Sequence, residues 1–449
     1  MKNRSATPPV SRPAPRLDPP ADSGRRVRLF RAALALCFLG SLALSYRLWT
    51  SERDYPLVPV LDGLPQPPAP VDAVLFWAMA AALLGAAALP RPRVPLAVVL
   101  GIGSVWAVLD QNRWQPYFAF YMVGVLCLWL SARAEADPQR RHASARWLVP
   151  FQLLVGSMYV WSGLHKLNRH YVATDFLLTA KPLLGWLGAE PAAVPAGLVT
   201  VLALLSAVLE LGFGVLLWVP KLRRAGVVGL TATHLFVLAM IGPLGADYNR
   251  VVWPWNVAAV AALWLLFWPE GTGTQPAALL RAWLAPADPR GRGGAGVPRG
   301  LAWTCGAVLL LFGVLPALSL AERWDAGLSW QMYAGKERIA VLFHEGDARA
   351  ALPPAGAAAA RAAGQVNLGA WSMAELNATP VLADRVLLRI GSALARRAPG
   401  ANVGLAIGGT PDVFFGERET RYFVFPAPGH EPVDVSGQYR VELQEDAGM

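Results

Sequence analysis

The chain is short of charge. Of its 449 residues only 16% are Asp, Glu, Lys or Arg, and 55% are hydrophobic; a soluble domain carries about 25% charged residues. With a mean hydropathy of +0.38, this balance points away from a water-soluble globule and toward an integral membrane protein. Cysteine is scarcer still. Cys37, Cys127 and Cys305 all lie in apolar runs. They are too few for a disulfide framework, and no CxxC or Cys/His cluster marks a metal or redox site. The C-terminal part holds no phosphate loop and no nucleophile elbow. Acids are fewer than bases, 30 against 40, for a net charge of +10. The basic residues sit in short loops between apolar runs, which reads as a topology signal and argues against a nucleic-acid partner.

Long apolar runs are what the chain does have. Nine candidate spans follow one another at 28–49, 72–89, 94–109, 117–130, 147–164, 193–218, 225–244, 251–268 and 301–320, and about 20 residues cross a 30 Å hydrocarbon core. The fold class expected is an all-α polytopic membrane helix bundle followed by a small α+β extracytoplasmic domain. Residues 1–27, rich in Pro and Arg, should be a disordered cytoplasmic N-terminus; 28–320 form the multi-pass part and 321–449 the outer domain. Arg25, Arg26, Arg91, Arg93, Arg133, Arg146, Lys221, Arg223, Arg224 and Arg299 then collect on the inner side. This places the protein in the cell (inner) membrane with its C-terminal domain outside. The composition, rich in Ala, Arg and Pro, has a bacterial look. In the outer domain 339–343, 401–407, 422–425 and 439–443 read as strands and 381–397 as a helix. The linker 269–300 has room for a short amphipathic helix at 277–284, and the Ala-rich 355–363 reads as a loop or short helix.

The most informative stretch is 151–176. An apolar helix carrying Met158, Tyr159 and Trp161 ends in a polar knot of His165, Lys166, Asn168, Arg169 and His170. Its basic residues lie on the side where positive charge is otherwise scarce, so topology does not explain them. A lysine acts as a base only when neutral, which requires burial or a nearby cation; the bland alternative is a lysine snorkelling to water. Glu210 and His234 lie within the sixth and seventh spans, where ionisable groups are costly. Counting residues from the inner ends puts both about 15 Å deep, where adjacent helices could pair them, below Lys166 at the outer mouth. Asp110 and Arg113 read as a surface salt bridge at an outer turn. Tyr159 and Trp161 pack helices or line a lipid-facing cavity.

The segment Tyr159-Val-Trp-Ser-Gly-Leu-His-Lys-Leu-Asn168 resembles the Gly-x-x-Lys-Leu helix end of vitamin K-dependent γ-glutamyl carboxylases. It is also similar to the bacterial HTTM (horizontally transferred transmembrane) domain proteins related to them. Glu210, the Lys221-Leu-Arg-Arg224 turn, Thr233-His-Leu235, Val252-Trp-Pro-Trp-Asn256 and Trp330-Gln-Met-Tyr-Ala-Gly-Lys336 match in the same order, so the resemblance covers roughly residues 30–345. It implies a quinol-dependent carboxylase/epoxidase. A reduced naphthoquinone of the vitamin K type would be the cofactor, O2 and CO2 co-substrates, and a peptide or small molecule the substrate, with no metal. In such enzymes the lysine matching Lys166 deprotonates the hydroquinone. Oxygen then turns the quinol into a strong base that takes a proton from glutamate, and CO2 adds. Carried over, Lys166 is the base and His234 assists proton or CO2 steps; Glu210 and His165 stand beside them as candidate catalytic residues, and Tyr159 and Trp161 as candidate cofactor contacts. The chain departs from the family in His165 before the lysine and in a much shorter C-terminal domain, which bears against peptide-tethered multiple carboxylation. The alternative is a non-catalytic membrane protein that binds lipid or a partner through its outer domain.

Overall fold

Apolar runs with few breakers close their backbone hydrogen bonds internally, and in a bilayer the helix is the simplest way to do so. A computed structural model describes residues 23–136, 141–268, 299–344, 352, 356, 365–397, 403–425 and 431–437. The expected disorder of residues 1–22, the helix at 277–284, the strand at 439–443 and nearly all of the Ala-rich stretch 355–363 lie outside the described residues. The chain forms α1 (Ser23–Leu44), α2 (Ala69–Ala88), α3 (Arg93–Leu109), α4 (Pro116–Glu135), α5 (Val149–His165), α6 (Phe176–Trp186), α7 (Ala196–Leu216), α8 (Arg223–Ile241), α9 (Val252–Ala262) and α10 (Arg299–Leu309). A π-turn extends α9 to Phe267, and looser turns extend α10 to Ala321.

Among the described residues seven helices are long and apolar enough to cross a membrane, where nine spans were expected. The other two, Arg93–Leu109 and Val252–Phe267, are shorter apolar helices. Seventeen residues of α3 reach only about 25 Å at 1.5 Å each. The first helix also starts at Ser23, ahead of the expected 28.

Helix α5 is the most enclosed of the long spans, and glycine explains how α7 lies against it. A Cβ on Gly163 would stand 2.5 Å from the Leu211 backbone N and 2.8 Å from the Ala207 carbonyl O. On α7, a Cβ on Gly214 would meet Tyr159 Cβ at 2.8 Å. Bare backbone at these crossings lets the two helices approach closely, as small residues do in membranes. The other side of α7 is covered by Val201, Leu202, Leu205, Val208 and Leu209, all exposed, as a lipid-facing surface requires.

The C-terminal part is a five-stranded antiparallel sheet in the order β2-β1-β3-β4-β5. Its strands are β1 (Ile339–His344), β2 (Gln365–Asn367), β3 (Val403–Gly408), β4 (Thr420–Phe425) and β5 (Val433–Asp434). Three match expected strands, whereas the short β2 and β5 carry too few residues to show alternation. Helix α12 (Asp384–Arg397) buries Val386, Leu387, Ile390 and Leu394. The unforeseen α11 (Leu368–Leu376) is capped by Asn367, which accepts from the Ala370 N–H at 2.9 Å.

This domain is fastened to one end of the bundle. Glu375 accepts from the backbone N–H groups of Asp54 and of Tyr55 (3.0 Å) and from Trp371 Nε1 (2.7 Å). Arg385 donates to Gln111 (2.7 Å), and Asn377 to the Leu44 carbonyl (2.8 Å). The same end is braced by Asp110. It was expected in a surface pair with Arg113, but both side chains are buried. Asp110 bonds Arg53, the Val58 N–H (3.0 Å) and both nitrogens of Asn112, leaving Arg113 at 3.8 Å. A buried carboxylate needs this many donors to offset its lost hydration.

Candidate functional site

The polar knot divides at the end of α5. Lys166 turns toward α7, where its ammonium donates to Glu210 Oε2 at 2.7 Å and to Ser162 Oγ at 2.9 Å. Glu210 is therefore in contact with Lys166, not far below it. Gly163 lies level with Ala207 and Leu211, so α5 stops beside the middle of α7 and the expected separation vanishes. Both side chains are nearly buried, with relative exposures of 12% and 11%. In that setting a pair is far more stable than either charge alone.

Nor does Glu210 pair with His234. His234 Nε2 instead meets Tyr159 Oη at 2.6 Å, and its Nδ1 meets Asn256 Oδ1 at 2.7 Å. Asn256 is in turn anchored on the Val252 carbonyl (2.8 Å). Because Asn256 presents its oxygen, Nδ1 carries the proton, so Nε2 accepts from the tyrosine hydroxyl. Glu210 lies within electrostatic reach of both Tyr159 and His234. Helices α5, α7, α8 and α9 thus assemble Lys166, Glu210, Tyr159 and His234 into one intramembrane cluster in which every polar contact described above is met.

Trp161 and His165 belong elsewhere, so Tyr159 and Trp161 do not share a site. Trp161 donates to the Gly313 carbonyl (3.0 Å) in the turns that extend α10 and stacks on His165 with ring centroids 5.6 Å apart. His165 is fully buried; its Nε2 is 3.4 Å from Ser319 Oγ, and its Nδ1 has no hydrogen-bond partner.

Ser319 is also part of the wall of a cavity of about 720 Å³ between the bundle and the sheet domain. Neither Lys166, Glu210 nor His234 lines it. Its wall includes Asn249, Trp324, Gln331, Tyr333 and Lys336. Asn249 Oδ1, Trp324 Nε1 and Gln331 Nε2 are buried without a hydrogen-bond partner. Lys336 is only 6% exposed, has no acidic partner among the described residues, and lies within electrostatic reach of His165. Burial pushes its pKa below the ordinary lysine value.

Two motifs hold this wall in place. Asn168 Nδ2 donates to the carbonyls of His165 (2.7 Å) and Ala334 (2.6 Å), tying the knot to the 330–336 loop. Gly335 has φ +68°, and a Cβ there would lie 2.4 Å from the Tyr171 N. Trp330 and Tyr333 also have positive φ, and such backbone strain gathers where surrounding contacts over-determine a loop. Sequence reasoning missed Lys336 as a site residue, because it lies beyond the last span and nothing local marks it as buried.

Among the described residues no three His, Cys, Asp or Glu side chains stand together in a way that could hold a metal ion. Comparison of the chain with protein-family models, with curated proteins and with solved structures finds no match.

Proposed function

We propose that this chain is a multi-pass membrane enzyme of the quinol-dependent carboxylase/epoxidase kind, with Lys166 as the base. The observation that carries the reading is the convergence of Lys166, Glu210, Tyr159 and His234, from three separate helices, on one buried cluster. Chance placement of four ionisable side chains inside apolar helices is costly, and such groups are functional by default. In the closed pair Lys166 is an ammonium. Passing its proton to Glu210, 2.7 Å away, leaves two neutral groups, a carboxylic acid and a free amine, with no charge left buried. Tyr159 and His234 form a second proton path beside it.

The cavity suits a flat aromatic ring bearing oxygens. Tyr333 and Trp324 form part of its wall, and the unmet Gln331 and Trp324 N–H groups can donate to ring oxygens. A reduced naphthoquinone would supply the hydroxyl proton and the electrons, O2 the oxidising power, and CO2 the carboxyl group. Lys166 does not itself line the cavity; on this reading the quinol's proton leaves by way of Ser319 and His165, within electrostatic reach of Lys166. On this reading α3 and Val252–Phe267 also span, making nine crossings, with the N-terminus in the cytoplasm and the sheet domain outside. The substrate enters from that outer side, and membrane lipid is the other partner.

A specific observation favours a second assignment of the base. Lys336 meets the requirement that Lys166 does not: it is buried, unpaired and beside the cavity. The test is oxidation of a naphthohydroquinone by the purified full chain in nanodiscs, compared among wild type, Lys166→Met and Lys336→Met. Loss only with Lys166→Met supports the proposal; loss only with Lys336→Met moves the base to the cavity. A folded wild-type protein that neither binds nor oxidises the quinol supports the alternative of a non-catalytic membrane protein that binds lipid or a partner through its outer domain.

A further inference from the structure

The β3–β4 connection ends in a turn at Val413–Phe415 that carries two adjacent phenylalanines, Phe414 at 76% and Phe415 at 70% relative exposure. Isolated exposed apolar residues are ordinary. Two large exposed rings together on one tip, between Asp412 and Glu417, are not. The turn also meets several of its own backbone groups. Asp412 Oδ1 accepts from the N–H groups of both phenylalanines at 2.8 Å, and the Asp412 carbonyl accepts from the Gly416 N–H at 3.0 Å. The Val413 carbonyl accepts from the Arg169 N–H at 3.0 Å. Backbone groups satisfied internally are what immersion in hydrocarbon demands.

The tip's position follows from its neighbours. It is pinned to Arg169, two residues before Tyr171, whose Oη bonds Ser206 Oγ of α7 at 2.9 Å. Ser206 is ten residues into α7, about 15 Å from its Ala196 end. Around it Val201, Leu202, Leu205, Val208 and Leu209 form the exposed apolar surface of that helix. The hairpin is therefore tied, through residues 169–171, to α7, the helix whose exposed side is apolar. Arg418, held by the Gly409 carbonyl at 3.1 Å, and the exposed Glu417 mark the polar limit of insertion. They set the rings at the boundary of headgroups and acyl chains rather than in the bilayer centre.

We infer that the C-terminal domain is a second membrane-contacting unit: Phe414 and Phe415 insert into the lipid leaflet beside α7 and hold the sheet domain over the bundle mouth. The occupant of this apolar tip is the bilayer itself, because the hairpin is tied through Arg169 and Tyr171 to α7, whose exposed side is apolar. The inference rests on the helices spanning a membrane and is independent of any catalytic reading.

The test uses the full chain in phosphatidylethanolamine–phosphatidylglycerol bilayers, with photoreactive benzoylphenylalanine in place of Phe414, of Phe415 or of Val433. Val433 is an exposed control on the far edge strand. The expected result is lipid adducts by mass spectrometry from positions 414 and 415 and their loss at 433. Both tip positions are exposed, so the replacements leave the fold intact, checked by an unchanged melting temperature in detergent. Adducts at 414 and 415 no more abundant than at 433, or a crosslink to a second copy of the chain in place of lipid, would overturn the inference.

Discussion

His165 and Lys166 are adjacent in the chain, yet they serve two polar regions built in opposite ways. On the Lys166 side, ammonium, carboxylate, phenol, imidazole and amide satisfy one another across four helices. On the His165 side, a cavity wall leaves an imidazole nitrogen nearby and an indole, an amide nitrogen, an amide oxygen and a lysine within it without partners. A saturated cluster is stable as it stands and changes only by moving protons along existing contacts. An unsaturated one leaves groups that water or a ligand can meet. The fold places a saturated polar cluster and an unsaturated cavity wall on the two faces of one helix end.

The comparison can be broken most severely at the pair. Glu210→Gln leaves the Lys166 ammonium buried without its carboxylate, and removing one partner of such a pair costs about 3–5 kcal/mol; thermal unfolding in detergent reads the loss. Lys166→Met combined with Glu210→Leu should recover most of it, since no charge is left behind. A smaller effect is expected at the helix crossing that creates the pair. Gly163→Ala puts a methyl 2.5 Å from the Leu211 backbone, forcing α5 from α7 at the about 1–3 kcal/mol typical of overpacking. The same unfolding measurement shows it, and the loss should shrink when the Lys166–Glu210 pair is already absent.

On the open side the expected sign reverses. Lys336→Met removes a buried charge that has no acidic partner, so stability should hold or rise, by up to about 1 kcal/mol, read as an unchanged or higher melting temperature. Because the folded lysine pKa is lowered, the unfolded chain binds the extra proton between the folded and unfolded values. Wild-type stability should therefore rise with pH through that alkaline window, and Lys336→Met should flatten the rise. The smallest effect belongs to the outer sheet. Asp384 is shielded by burial but held below its ordinary value by Arg421 and Arg338. Its stabilisation is complete above about pH 4 and fades as pH falls through the depressed folded value. With the pair more than a third exposed it is worth under about 1 kcal/mol, and Asp384→Asn should erase that acid-side slope.

How much of this was legible in the sequence differs by element. Apolar runs revealed the helices to within a few residues, because span length and composition are local. They overstated the count of full-length spans: α3 and Val252–Phe267 are apolar but short. The polar knot was legible as a cost without an explanation, whereas its division was not. Helical spacing places His165 and Lys166 on different faces, but which neighbour each face meets depends on Gly163 and on where α5 stops beside α7. Depth counted from helix ends assumed that every end lies at the membrane surface, and α5 violates that. Lys336 was hidden for a different reason. Its burial comes from the sheet domain docking through Glu375, Arg385 and Asn377, contacts between residues roughly 270–330 positions apart.

The central claim is that the Lys166–Glu210 pair handles the proton while the cavity beside His165 receives the ligand. Naphthohydroquinone oxidation by the stable Lys166→Met/Glu210→Leu variant tests it most directly, because stability and charge burial no longer confound the reading. The account predicts a folded protein whose turnover falls at least about 100-fold while it still binds the quinol. Retention of full turnover in that variant, above all if Lys336→Met abolishes it instead, would contradict the account.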